Sequence, residues 1–254
     1  MVVGQINDGK TKGHVAKFNS TLSSTTWANS IYNASLSSTN PEFKDVCVDS
    51  SDNIYVCGDM RNRSTQISSG TQLGFIYKFN SSGTFQWARA LGGNTYNTDI
   101  YGIGIDSEGY VAWTGHNTGS GNIYGRLSTS GTSDYINKVT KASTALYDTG
   151  NGSVDASGSV YIQTRGIRNG AYEATDFLKL PSDGSLRGTY GDYTIADASS
   201  EITVWTTTDA WYTEHNMQVE SAAETLADSG LSTSLSISSS TNTASNTTAT
   251  TSVE

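Results

Sequence analysis

The feature that most constrains the fold of this 254-residue chain is an internal repeat. An apolar strand-like run, an aspartate that opens a short polar turn, and a second apolar run recur with the turn aspartates Asp49, Asp106 and Asp155. The aspartates are 57 and 49 residues apart (49 to 106, then 106 to 155), about the length of a four-stranded propeller blade. The repeat therefore predicts several small antiparallel sheets.

The second half of the unit also recurs: a strand with a basic residue near its end, a Ser/Gly turn and a further strand. The first half of the unit occupies 43–59, 101–116, 152–165 and, in degenerate form, 202–215. The first strand of the second half occupies 15–19, 76–80, 124–128 and 177–181. Residues 2–5 match the second strand of a unit that lacks its first strand. We therefore expect an all-β protein, a β-propeller of four or five four-stranded blades, with one blade completed from both chain ends. A ring completed by another chain is the alternative.

The composition favours short strands over helices. Only 35% of the residues are hydrophobic and 15% are charged, and the chain has no long runs of helix-forming residues. Fourteen Tyr, five Trp and six Phe supply bulky side chains to fill the space between packed sheets.

The net charge of −9 and the lack of any Lys/Arg cluster argue against nucleic acid as a partner. No apolar run approaches the roughly 20 residues that span a bilayer, so we expect no membrane insertion. The first residues lack a signal-peptide pattern, which predicts that the chain is not exported by that route unless its native start is missing.

Catalytic and metal-binding patterns are weak. His14, His116 and His215 form no metal-binding pair, and no nucleophile elbow or nucleotide-binding glycine loop occurs. The turn aspartates lack the distal ligands of an EF-hand, so we interpret them as turn formers. We predict no enzyme activity, catalytic residue, metal or cofactor, although carboxylates from separate blades could still meet in space. Cys47 and Cys57 could form a cross-strand disulfide, but two small buried side chains are favoured.

Strand order gathers the long connections on one face, the usual layout of a binding surface on a rigid scaffold. The loops 60–73, 116–122 and 166–172 and the blade-to-blade connections 32–42, 92–99, 140–149 and 191–200 open there. Polar residues end the second strands, either as a ligand-binding ring or as an ordinary solvent boundary, and tyrosines in the loops are candidate sugar or protein contacts. The candidate ligand-binding residues are Asp59, His116, Arg165, His215, Tyr96, Tyr147 and Tyr172, with Gln5 at the matching position of the first unit.

The repeat resembles a bacterial and phage β-propeller family, whose consensus runs roughly fvaKlnpsG…w…lGG…d…giavDssGnvyvtG. Residues 74–115 match it best, through Lys78-Phe79-Asn80, Trp87, Leu91-Gly92-Gly93 and Ile105-Asp106. The resemblance covers about residues 1–215 and weakens after 150. The family that these residues resemble is that of the seven-bladed-propeller-type repeats. It implies a propeller fold and is most like virion or tail surface proteins of tailed phages.

Residues 1–220 are assigned to the repeats and 221–254 to a low-complexity tail. Ser232 to Glu254 is mostly Ser, Thr, Asn and Ala, too polar to fold alone. A disordered tail, a docking arm and a stalk are the three alternatives. Because Leu231, Leu235 and Ile237 alternate with Ser and Thr, we favour an arm or completing strand over 231–239.

The leading hypothesis is a non-catalytic structural or adhesive virion protein, a phage tail or capsid surface component. Its expected partners are other virion proteins, copies of itself and host-surface glycans. One alternative is a secreted bacterial carbohydrate-binding or adhesion module, which would be extracellular or on the cell surface. The other is a propeller glycosidase or lyase.

Overall fold

A computed structural model describes residues 1–7, 11–21, 23–33, 41–61, 71–93, 95–141, 152–168, 172–206 and 217–221. Within these ranges every regular element is a strand and every strand pairing is antiparallel, which confirms the all-β class. No helix in these ranges could span a membrane.

The described residues form eighteen strands. They are β1 (Val2–Asn7), β2 (Thr11–Phe18), β3 (Thr25–Asn33), β4 (Glu42–Val48), β5 (Ile54–Arg61), β6 (Gln72–Phe79), β7 (Phe85–Gly92), β8 (Thr98–Ile105), β9 (Val111–Asn117), β10 (Gly121–Leu127), β11 (Ser133–Lys141), β12 (Gly152–Val154), β13 (Val160–Arg168), β14 (Tyr172–Leu180), β15 (Gly188–Tyr190), β16 (Tyr193–Asp197), β17 (Thr203–Thr206) and β18 (Met217–Ser221).

The strands make four sheets, none of which closes on itself. Sheet I has the order β1-β2-β3-β18, sheet II β4-β5-β6-β7-β17, sheet III β8-β9-β10-β11-β16-β15, and sheet IV β12-β13-β14. Each sheet therefore contains all or part of one copy of the predicted repeat as an antiparallel meander, with four strands of the repeat in sheets II and III and three in the described residues of sheets I and IV. Sheets I to IV contact one another in chain order, through β1 and β4, β4 and β8, and β8 and β12. Closure of these sheets into a propeller ring stays a prediction.

The first half of the degenerate fourth repeat does not pair as the sequence predicted, and its second half, 210–215, lies outside the described residues. Residues 202–205 were expected to be an inner strand, but β17 pairs with β7 at the outer edge of sheet II. Likewise β18 pairs with β3, at the edge of sheet I opposite to β1. After sheet IV the chain therefore runs back along the outer edges of sheets III, II and I and adds strands to each.

Two connections that were expected to be long are short. The ladder between β9 and β10 continues to the pair Asn117–Gly121, which leaves a three-residue turn in place of a loop over 116–122. The ladder between β13 and β14 continues to Arg168–Tyr172. In both hairpins, cross-strand pairing extends through polar residues that the sequence pattern had assigned to loops.

Large apolar side chains fill the interfaces between consecutive sheets. One cluster joins sheets I and II around Phe75 and Tyr77, a second joins sheets II and III around Trp113, and a third joins sheets III and IV around Tyr124. Aromatic residues thus occupy the space between sheets, as the composition predicted.

A repeated clasp also holds each sheet to the next. The fourth strand of the repeat is β3 in sheet I, β7 in sheet II and β11 in sheet III. On these strands the side chains of Trp27, Trp87 and Tyr135 donate hydrogen bonds of 3.1, 3.0 and 2.5 Å to carbonyls in the Ser/Gly turn of the following sheet. Two residues further along each strand, the side chains of Asn29, Arg89 and Asn137 donate to the glycine carbonyl of the same turn, at 2.6, 2.7 and 3.2 Å. The aromatic rings lie so close to Gly83 and Gly184 that a Cβ there would come within 2.6 Å of a ring carbon.

The aspartate turns have the predicted form. Oδ1 of Asp49, Asp106 and Asp155 accepts the backbone N–H two residues on, at 2.9, 3.0 and 2.9 Å, and the N–H four residues on. The fourth residue of each turn is left-handed: Gly109 and Gly158 have φ of 85° and 82°, whereas the first turn places Asp52 there with φ 59°.

Replacing Asp52 with glycine is therefore expected to stabilise the protein by roughly 0.5–1 kcal/mol, because a side chain is disfavoured in this backbone conformation. Chemical denaturation of D52G and wild type measures the difference. The control is S51G, which adds a glycine one residue earlier, where φ is not positive, and should destabilise. Equal losses of stability in both variants would contradict the expectation.

Candidate functional site

The structure describes the side chains of three of the seven candidate ligand-binding residues. Asp59 and His116 lie near the ends of β5 and β9, two residues and one residue before the last residue of each strand, and both are buried. Tyr96 lies in the β7–β8 connection and is 52% exposed. Tyr147 and His215 lie outside the described residues; Arg165 and Tyr172 lie in β13 and β14, but their side chains are not described.

Asp59 belongs to an ion-pair network between sheets II and III. A β-bulge in β4 sets Lys44 out of register, and its Nζ pairs with Asp59 and, at 3.2 Å, with Oδ1 of Asp99. The side-chain amide of Gln72 donates to both carboxylates, at 2.8 Å to Asp99. A matching bulge in β8 presents Tyr101, whose ring centroid lies 4.1 Å from Lys44 Nζ. One amine and one amide thus hold two carboxylates from neighbouring sheets.

Burial sets the electrostatics of this network. It raises the pKa of Asp99 to about 6; Lys44 opposes the shift and Asp59 adds to it. Burial alone would lower the pKa of Lys44, but the hydrogen bond and charge of Asp59 and the charge of Asp99 raise it. The amine is therefore firmly charged, whereas Asp99 gains a proton under mildly acidic conditions.

Two carboxylates from different sheets at one point are what a glycosidase would need. Here both carboxylates already bind Lys44 and Gln72, an arrangement typical of a structural ion-pair network. A comparable network joins sheets III and IV, where Lys141 Nζ lies 3.0 Å from Oδ2 of Asp176 and the Tyr193 hydroxyl donates to the same carboxylate. Ionic contacts thus recur between the sheets at this end of the strands.

Tyr96 borders a cavity of about 360 Å³ at the same end of the strands. The β7–β8 connection, the β9–β10 turn and the β16–β17 connection form its walls, and the Tyr96 ring lies directly against the backbone of Gly119. The cavity is lined by Gly93, Thr95, Tyr96, Gly119, Ser120, Ser200, Glu201 and Thr203. It therefore combines one exposed aromatic face with several hydroxyls and a carboxylate.

Glu201 provides the charge of this cavity and was missed by the sequence analysis. Its carboxylate accepts a hydrogen bond from Ser120 and pairs with Lys138, and these two contacts lower its pKa. Glu201 is 81 positions from Ser120 along the chain. It reaches the cavity only because β17 returns to sheet II, and no local pattern indicates that return.

The inner strands line a second concavity of about 400 Å³, which contains parts of β4, β8 and β12 and the turn residues Asp155 and Ala156. No group of three or more His, Cys, Asp or Glu residues that could hold a metal ion occurs within the described ranges. Cys47 and Cys57 are both free thiols, Cys57 is fully buried, and burial raises the pKa of each. The favoured interpretation of two small buried cysteines is confirmed for Cys57, whereas Cys47 is unbridged but only partly buried.

The raised pKa of Asp99 predicts a specific pH dependence. Because the folded-state pKa of about 6 lies above that of an unfolded aspartate, wild type should lose stability relative to D99N as the pH rises from about 4 to about 7. Urea denaturation of both proteins across this range measures the difference.

D49N is the control of opposite sign: although burial opposes the shift, hydrogen bonds from Asn53, Tyr55 and Ser51 lower the pKa of Asp49. Wild type should gain stability relative to D49N as the pH rises through the aspartate range. A stability difference between D99N and wild type that does not change with pH would contradict the assignment.

The chain matches no family model and no curated protein. Its function therefore has to be inferred from its own residues.

Proposed function

We propose that this protein is a non-catalytic structural or adhesive protein that binds glycans in the Tyr96 cavity. The observation that carries the proposal is an exposed aromatic ring beside a 360 Å³ cavity of hydroxyls and one carboxylate. This volume is within the range of small-molecule sites. The cavity also lies among the connections between sheets, the region where the sequence places a binding face.

The chemistry of the cavity suits a sugar ring. The Tyr96 ring offers a flat apolar surface for the C–H face of a pyranose, and its packing on Gly119 keeps the entropic cost of ordering it low. Glu201 is charged and accepts hydrogen bonds, so it can bind sugar hydroxyls, with Ser120 and Thr95 beside it. Lys138 neutralises the carboxylate, which also permits an acidic sugar at the rim.

A rigid scaffold with variable connections supports an adhesive role. At one end of the sheets the aspartate and Ser/Gly turns are short and internally hydrogen-bonded, and the clasps hold three of the Ser/Gly turns. At the other end the connections differ in length and composition from sheet to sheet. Sequence can vary at the second end without loss of the sheet packing.

We also propose that the four sheets form a propeller ring and that the protein is located in a virion. The four sheets in chain order, and the concavity lined by β4, β8 and β12, are consistent with blades around an axis. The resemblance of residues 74–115 to phage and bacterial propeller repeats supports a phage tail or capsid surface component. A secreted bacterial adhesin would use the same cavity and is the second candidate.

Replacing Tyr96 with alanine is expected to weaken glycan binding by about tenfold, because the stacking surface is lost. A glycan array with the purified protein identifies a ligand, and calorimetry with that ligand compares the variants. The matched control is Y190A, since Tyr190 is 48% exposed but does not line the cavity. The same weakening in both variants, or in neither, would contradict binding at this cavity.

The virion role predicts many copies of the chain in purified phage particles from the source culture. Mass spectrometry of intact particles and of the secreted and cell-surface fractions measures this. Recovery only from the secreted or cell-surface fraction would contradict the virion role and favour the bacterial adhesin.

A further inference from the structure

Sheet IV lacks the fourth strand that every other sheet has. Its described strands are β12, β13 and β14, whereas sheets I, II and III continue to β3, β7 and β11. The residues after β14 cannot continue the meander, because Gly188 and Gly191 have φ of 130° and 60° and β15 pairs with β16 in sheet III. The outer edge of β14 therefore has no partner strand in the part of the chain that the structure describes.

The side chains of β14 show that sheet IV is also uncovered on the face that points away from sheet III, because the matching positions in the other sheets pack against the sheet that follows. Val15, Ile76 and Tyr124 occupy the matching repeat position in β2, β6 and β10 and are fully buried. Phe177 holds this position in β14 and is 75% exposed. It borders a shallow concavity of about 240 Å³ together with Ser153, Tyr161 and Gln163. An exposed phenylalanine on an unpaired edge strand is an aggregation hazard that proteins usually cover.

The path of the C-terminal part of the chain indicates what covers this edge. After β14 the chain adds outer strands to sheet III, then to sheet II, then to sheet I. Sheet IV receives no such strand among the residues that the structure describes. Ten residues, 207–216, connect β17 to β18, and nine residues, 222–230, separate β18 from Leu231. Nine residues can span up to about 30 Å when extended, which is the reach of the tether between β18 and Leu231.

Residues 231–239 have the pattern of a half-buried strand. Leu231, Thr233, Leu235 and Ile237 alternate with serines at every even position. In a strand, the apolar residues would share one face and the serines the other. The segment contains no charge, proline or glycine that would oppose pairing along a sheet edge.

We propose that residues 231–239 pair with β14 of the same chain and form the missing fourth strand of sheet IV. The pairing satisfies the outward backbone groups of β14 and places side chains beside Phe177. This inference rests on the propeller ring of the proposed function, which would bring β18 within reach of sheet IV, and does not depend on the proposed glycan site.

Hydrogen exchange of the β14 amides tests this pairing in the full chain and in truncations after Ser240 and after Gly230. The amides of β14 that point away from β13 should exchange at least about tenfold more slowly in the full chain and in the longer truncation than in the shorter one. Unchanged exchange in sheets I to III shows that each variant is folded. Equal exchange of the β14 amides in all three proteins would overturn the proposal.

Point variants keep the chain length constant. L235D places a charge on the apolar face of the segment and should reproduce the faster exchange, whereas S236D places the same charge on the serine face and should not. Protection that rises with protein concentration would mean that a second copy supplies the strand, which would overturn pairing within one chain.

Discussion

The packing of each sheet on the turn of the next is the contact on which the architecture depends. An aromatic side chain and a polar neighbour two residues on reach carbonyls of a Ser/Gly turn in the following sheet, and this occurs at all three interfaces. Each turn must hold two of its carbonyls in a fixed geometry, one of them that of its glycine. This geometry requires a left-handed backbone conformation at that residue, which is glycine in all three turns. One end of the sheets is thereby held to a common form, and variation is left to the other end, where Tyr96 and Glu201 line a cavity.

The sequence predicted what is determined by local chemistry. The strands around Asp49, Asp106 and Asp155 and the hydrogen bonds of their turns are correct because an aspartate and its next four residues suffice to form the turn. The alternation of apolar residues also identified the strands, because each packs against at least one neighbouring sheet and must bury the face that meets it.

What the sequence did not predict depends on distant partners. Residues 203–206 look like the inner strand of a further repeat, but they pair with the edge of β7, and this pairing brings Glu201 to Ser120 and Lys138. Asp59 and His116 follow the pattern of polar strand ends, yet they are buried by the sheet that packs over them. Bulges at Lys44 and Tyr101 then aim side chains into that interface, and a bulge leaves little trace in a periodic pattern.

The clasp also gives the row of sheets a direction. Each of the three interfaces joins the fourth strand of the repeat in one sheet to a Ser/Gly turn of the next, so the two faces of each sheet contribute different parts of the clasp. Within the described residues the main contacts of each sheet are with its neighbours in chain order, so the stability of the whole approximates a sum of separate interface terms, as in solenoid proteins. An inserted copy of one repeat would then meet a compatible surface on both sides, so that the row could lengthen by whole repeats during evolution while the cavity-bearing connections diverge.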